Sequence, residues 1–456
     1  MSDRFSRTFA AYAAETTWDR LPPETVHEVE RRVLDSIGVA VAALDEDAPV
    51  AARRYAAAHP GSATVWGTEA RAEAEAAGFA NGVAVRALDF NDTYLSLEPL
   101  HPSDAIAPLL ALAEVRGLSG RELIRAIAIS YEVSVSLCDA ASLRAHGWDH
   151  VAFLGIGVAS GAGALLGLPP ELIEHAVSIA TVPHAAMRQT RAGELSMWKG
   201  AAAANAARHA VFGASMAEAG MTGPFEPFEG EMGFVRQLLD GQPFADEPLK
   251  HLEAMEAPTR ISDTYVKFWP VEYHAQSAVD AALRLHSQLA GREISSVRID
   301  TFRTSYEIIA KDPEKWDPRT RETADHSIQY IVCAALQDGE VTMATFYPAR
   351  FRRADTLELL HRRTTVEEDT ELTAGYPDGI PNRIEVTTAE GDVLTERVDH
   401  PRGHARNPMT DDELIAKFCA NVSERWPADR AARTERAAFG LHEDGGLEPL
   451  IEELGS

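Results

Sequence analysis

The residues best equipped for chemistry crowd into the stretch 86–104, Arg-Ala-Leu-Asp-Phe-Asn-Asp-Thr-Tyr-Leu-Ser-Leu-Glu-Pro-Leu-His-Pro-Ser-Asp. An Ala-rich run with helical spacing, residues 72–88, ends in Asp89 and Asp92. Ser103 and Asp104 then offer an N-cap for the next apolar helix, which puts His101 just outside a helix start. Two carboxylates, an imidazole and a helix N-terminus in so short a span can supply acid, base and anion affinity together. The same residues also fit a plain connection, with acids ending one helix, a serine starting the next and a histidine in the loop.

Three further stretches carry comparable groups. His150 closes His146-Gly-Trp-Asp-His150, directly before an uncharged run at 151–168, where it is a site residue or a core-edge histidine bonded to backbone. Arg188, Arg191 and Lys199 fall in residues 187–200 with a single carboxylate, Glu194. Arginine forks and a lysine near a helix start suit a ligand with several carboxylates, and a solvated basic loop looks similar. Against a net charge of −27 such a run of cations favours a functional reading. Lys267, Glu272 and His274 precede a helix at 275–285, among aromatics and Pro270. Such a junction is partly buried, so neighbouring charge can move pKa values, and a hinge between domains has the same look. His326, in Arg321-Glu-Thr-Ala-Asp-His326, is either a site residue or part of a cap for the helix expected over 323–336.

The elements that must position these groups divide the chain in two. To about residue 260 the spacing is helical, and strand-like alternation is almost absent. Helices are predicted over 23–44, 123–140, 169–182 and 196–220, with a Ser119-to-Glu122 capping box and prolines at first turns. Beyond residue 262 the pattern changes to a strand at 293–302, the helix at 323–336 and a hairpin over 383–398 turning at Glu390-Gly-Asp392. Thr410-Asp-Asp-Glu413 is a second capping box, opening a helix through Trp426.

With 456 residues and a net charge of −27, the chain is long enough for two cores and too acidic to favour nucleic acid or an anionic membrane. Cys138, Cys333 and Cys419 are far apart in apolar helical runs, which excludes a cysteine cluster and predicts small core residues. The N-terminal residues lack a secretory pattern, and 151–168 is short for a membrane span, so a cytoplasmic protein is expected. No metal-ligand spacing, Walker sequence or dinucleotide fingerprint is present, and neither metal nor cofactor is expected.

Taken together, these segments resemble the MmgE/PrpD family. The matching pieces are Leu88-Asp-Phe-Asn-Asp-Thr93 with His101-Pro-Ser-Asp104, Gly147-Trp-Asp-His-Val151, Trp198-Lys199, Lys267 followed by Trp269-Pro-Val-Glu-Tyr-His274, and Thr320-Arg-Glu-Thr-Ala-Asp-His-Ser327. The resemblance implies a two-domain α+β protein and a homodimer. A large all-α helical domain, 1–262 completed by 405–456, would carry a smaller α+β lid domain, 263–404, with the active site in the cleft between them. It implies metal-independent dehydration of a citrate-like tricarboxylate, 2-methylcitrate to 2-methyl-cis-aconitate. The alternatives on the same scaffold are cis-aconitate decarboxylation and dicarboxylate epimerisation, and a silent small-acid binding protein is the reading of another class. Asp89, His101, His150, Lys199, Lys267 and His274 would be catalytic, and Asp92, Ser103, Arg188, Arg191 and His326 would hold substrate. In the decarboxylase branch a later active-site histidine falls on Glu272 in an ungapped alignment, whereas His274 follows the dehydratase pattern.

Overall fold

The computed structural model describes residues 3–193, 195–443 and 446–455. The chain forms two units, Met1–Tyr265 with Thr410–Ser456, and Val266–Met409.

The first unit is built of helices. Pro23 occupies the first turn of α1 (Pro23–Ala42), where its missing N–H does no harm. A short antiparallel ribbon follows, β1 (Pro60–Thr64) with β2 (Arg71–Ala72), which the near absence of alternation did not predict. Side chains hold it: Glu114 accepts from the Thr64 N–H and hydroxyl, and the Asn81 amide bridges Trp66 and Thr64. Then come α2 (Ala74–Ala87), α3 (Ile106–Arg116), α4 (Gly120–Ala140), α5 (Val151–Leu165), α6 (Pro170–Thr181) and α7 (Trp198–Glu218). The Ser119–Glu122 capping box opens α4 as expected.

Every residue of α5 is buried, which explains its uniformly apolar sequence. Among the described residues no helix is long and apolar enough to cross a membrane. Small residues set the helix spacing. A Cβ on Gly157 of α5 would lie 1.9 Å from Ser134 Oγ of α4, and one on Gly82 of α2 would lie 3.0 Å from Ala204 Cβ of α7. The second approach brings the end of α2 to the start of α7, where Lys199 lies.

The C-terminal helices Asp411–Val422, Ala428–Phe439 and Leu447–Leu454 add Phe418, Val422, Ala438 and Leu454 to the core that α1 to α7 share. The first opens on the Thr410–Glu413 capping box but stops at Val422, short of the predicted Trp426. Pro427, which disfavours helix at the residue before it, starts the next helix instead. Cys138 and Cys333 are buried as expected, whereas Cys419 lies on the outer face of its helix and is exposed, correcting its assignment to the core.

The second unit packs α8 (Gln276–Leu289) and α9 (Ile328–Asp338) against a four-stranded sheet. Its strands β3 (Ile294–Thr301), β4 (Thr364–Glu368), β5 (Asn382–Thr388) and β6 (Val393–Val398) run in the order β4-β3-β5-β6. β3 is parallel to β4 and antiparallel to β5, which forms the predicted hairpin with β6. Val297 faces Val386 and Ile299 faces Ile384, so the inward side of the register is apolar. The single helix predicted over 323–336 is two: a turn at Arg321–Ala324, then α9, whose first turn Ser327 caps by accepting from the Tyr330 N–H. His326 lies in the break.

Candidate functional site

Four elements of the first unit converge on one buried cluster. Asp89 follows α2 with a φ of 52°, a left-handed conformation that is uncommon outside glycine and clusters at functional sites. That turn aims its carboxylate at two cations: Oδ2 lies 2.8 Å from Lys199 Nζ, in the first turn of α7, and Oδ1 accepts from the Arg86 guanidinium. Lys199 is 7% exposed and Arg86 2%, so both pairs are shielded from water. On the other side of the loop, Lys417 reaches the Phe90 carbonyl at 3.0 Å and Asp35 at 2.7 Å, which ties the loop to α1.

The partners of His101 assign its protons. Nδ1 is 2.7 Å from the Asp92 carbonyl oxygen, which can only accept, so Nδ1 carries the hydrogen. Nε2 is 2.9 Å from Arg86 Nη2, which can only donate, so Nε2 presents a lone pair and the ring is neutral. His150, at the entrance to α5, repeats the arrangement. Its Nε2 faces Arg191 Nη2 at 3.3 Å and its Nδ1 faces Asp149 Oδ1 at 3.4 Å. Burial first, and Arg191 next to it, push His150 down to about 3. The two imidazoles stand 5.9 Å apart between ring centres. Burial alone would raise Asp149, but the Arg191 guanidinium outweighs it and lowers its pKa. Asp104 is different: burial drives its carboxyl up to about 7, only partly opposed by Arg86.

The structure therefore brings Asp89, His101, His150, Arg191 and Lys199 together. Ser103 and Asp104 do not cap a helix, because they lie inside the 3₁₀ turn Pro102–Ala105 and α3 starts at Ile106 without a side-chain cap. Asp92 and Ser103 face inward: Asp92 is fully buried and accepts from the Ser103 N–H at 2.9 Å and the Tyr131 hydroxyl at 2.7 Å, beside Arg32, while Ser103 Oγ accepts from Asn91. Those bonds hold the loop. Arg188 is half-buried at the start of a 3₁₀ turn that ends in Arg191, and Glu194 lies outside the described residues.

Arg86, Asp104 and Asp149 also belong to the cluster; the sequence marks Asp104 only as a helix cap and gives no role to Arg86 or Asp149. A lone arginine in the last turn of an Ala-rich helix was the available signal for Arg86, and adjacency to His150 for Asp149. A cavity of about 540 Å³, lined by Tyr55, Phe79, Met197 and Trp198 among others, touches none of these groups. Its walls are mostly apolar, with Asn205 and Arg208 among the polar members.

The second unit holds a cluster of the opposite character. Glu272 accepts from the His274 N–H at 2.8 Å and faces its Nδ1 at 2.7 Å. Burial would raise Glu272, but His274, His326 and Lys267 outweigh it and pull it to about 2. Asp325 pairs with His326 Nδ1 through one oxygen and with Arg321 at 3.3 Å through the other. The Glu272 N–H donates to the Asp325 carbonyl, which locks the two carboxylate–imidazole pairs side by side. Lys267 is 1% exposed, and His274 Nε2 is buried with no hydrogen-bond partner among the described residues. No group of three His, Cys, Asp or Glu side chains among the described residues is placed to hold a metal ion.

The family model of the MmgE/PrpD N-terminal domain matches residues 7–247 and that of the C-terminal domain residues 269–442. A 2-methylcitrate dehydratase of Cupriavidus necator is 33% identical over 81% of this chain and 79% of its own. The 2-methylcitrate dehydratase of Escherichia coli K12 is 30% identical over 82% and 80%. The cis-aconitate decarboxylase of Mus musculus is 28% identical over 92% and 87%. The chain belongs to the MmgE/PrpD family and is an enzyme of the lyase class.

Proposed function

We propose that the enzyme removes water from 2-methylcitrate to give 2-methyl-cis-aconitate. One observation carries the reading: two neutral imidazoles whose Nε2 lone pairs are each covered by a guanidinium, next to an aspartate–lysine pair. A polycarboxylate competes for those cations. Once its carboxylates engage Arg86, Arg191 or Lys199, an imidazole lone pair is released to act as a base.

Elimination then balances simply. His101, working with Asp89, takes the proton from the carbon next to a carboxylate, and the electron pair left behind forms the double bond as the neighbouring hydroxyl departs. An acid must protonate that hydroxyl so that it leaves as water. Cations at the carboxylate stabilise the negative charge that develops on the way. His150, neutral at pH 7, serves as a second base or relay before it can donate. Lys199 and Arg188 are carboxylate holders. For the second unit the assignment is separate: His274 as an acid–base group, Lys267 as a carboxylate cation and His326 as a substrate contact, each judged by its own substitution. Metal independence, a homodimer, a cytoplasmic location and a lid role for the second unit belong to the same proposal.

A second reading has support from the mouse decarboxylase, which matches over more of the chain than either dehydratase. Chelator-treated protein mixed separately with 2-methylcitrate, citrate, cis-aconitate and a chiral dicarboxylate distinguishes the two. Dehydration yields an unsaturated tricarboxylate from 2-methylcitrate, and full activity after chelation supports metal independence. Carbon dioxide from cis-aconitate, with no change in 2-methylcitrate or citrate, replaces the proposal with decarboxylation.

A further inference from the structure

One buried cation of the second unit has no task in the chemistry above. Lys315 lies in the short helix Pro313–Trp316, and it is only 8% exposed while residues 311–314 around it are exposed. Its backbone is fixed next to the Asp325–His326 pair, because Ser327 Oγ donates to the Lys315 carbonyl. Burial lowers its pKa, and Asp325, Asp312 and Glu272 are the charges that oppose this.

A buried ammonium ordinarily reaches a carboxylate, since leaving it without one is costly. The two buried carboxylates nearby are already engaged. Asp325 gives one oxygen to His326 and the other to Arg321, while Glu272 gives one to the His274 N–H and the other to its Nδ1. Lys315 Nζ forms no hydrogen bond and no ion pair with any described residue. His274 Nε2, on the far side of the ring that Glu272 holds, is likewise without a partner. Two buried polar groups thus remain beside two carboxylates whose oxygens already serve other donors. An anion with oxygen acceptors is the ligand that satisfies the cation, and a carboxylate can take a hydrogen from an imidazolium as well.

We propose that Lys315 binds a carboxylate of a polycarboxylate ligand, forming an anion subsite with His274 in the second unit. The inference rests on the proposed function for the identity of the substrate, not for the existence of the subsite.

Calorimetric titration of the full-length protein with propane-1,2,3-tricarboxylate, which has no hydroxyl to lose, tests binding without turnover. Lys315→Met should weaken binding about tenfold or more, whereas Lys315→Arg, which keeps the charge, should stay within a few-fold of the parent. Lys315→Gln, which keeps a polar tip, should behave like the methionine variant and serves if methionine destabilises the fold, as read by thermal melting. In turnover of 2-methylcitrate the methionine and glutamine variants should raise KM more than they lower kcat. Unchanged affinity in a folded Lys315→Met or Lys315→Gln protein overturns the subsite, as does failure of the parent to bind the probe. If the parent leaves 2-methylcitrate untouched but loses the probe on Lys315→Met, the subsite stands and the proposed substrate falls.

Discussion

The two clusters use histidine in opposite ways. In the first unit His101 and His150 receive hydrogen bonds from arginines, and their other nitrogens face a carbonyl oxygen or a carboxylate at 3.4 Å. Their Nε2 atoms are therefore lone pairs held under a cation. In the second unit His274 and His326 face carboxylates through Nδ1, with Glu272 held ionised down to about 2. An imidazole under a guanidinium is kept neutral. One scaffold thus sets Nε2 of its histidines under guanidinium groups in one cluster and Nδ1 against carboxylates in the other.

The largest effect expected from breaking this contrast is at His101. Replacing it with Asn should cut turnover by about 10²–10⁴-fold with thermal stability unchanged, the range for loss of a positioned acid–base group. A near-normal rate would remove it from the mechanism. Next is Lys199. Lys199→Met removes the ammonium 2.8 Å from Asp89 Oδ2 and should cost about 10²–10³-fold in kcat, as for loss of a preorganised electrostatic donor. Steady-state kinetics on the purified variant checks this, and a change confined to KM would make Lys199 a binding residue only.

Acid titration sharpens the comparison from the stability side. The folded value for Glu272, about 2, lies below its ordinary 4.5, so unfolding takes up a proton at low pH. Its contribution, roughly 3 kcal/mol, is fully present above pH 4.5 and is lost as pH falls toward 2. Asp104 has the opposite sign. Its folded value of about 7 lies above its ordinary 3.8, so stability declines as pH rises from 3.8 to 7. Hydrogen exchange followed by mass spectrometry should show the second unit losing protection below pH 4.5, and Glu272→Gln should remove that loss. Asp104→Asn should gain stability over the parent at pH 7 relative to pH 4. Parallel loss of protection in both units, unaltered by Glu272→Gln, would contradict the charge assignments.

Much of this was legible in the chain itself, and the failures are physical. Capping boxes at Ser119 and Thr410 rest on neighbours three residues apart, so their helices start where expected. The β5–β6 hairpin is equally local. The loop at 86–104 stands out because two acids, an imidazole and a helix start are near in sequence, but the group that holds the His101 Nε2 lone pair is Arg86, fifteen residues away across a turn. The role of Asp92 was harder still, since its partners Arg32 and Tyr131 come from α1 and α4. The break at His326 was missed because Ser327 caps a helix inside an apolar-periodic run, and nothing in the period marks it.

The smallest expected effect belongs to those local signals. Thr410→Ala removes the hydroxyl that accepts from the Glu413 N–H and should cost about 1 kcal/mol, seen as a lower thermal midpoint with kcat unchanged.

The most direct test is product analysis by proton NMR of chelator-treated protein with 2-methylcitrate, run beside the His101→Asn variant. The account predicts 2-methyl-cis-aconitate from the parent and almost none from the variant. An untouched substrate with the parent, or equal product from both proteins, would contradict it.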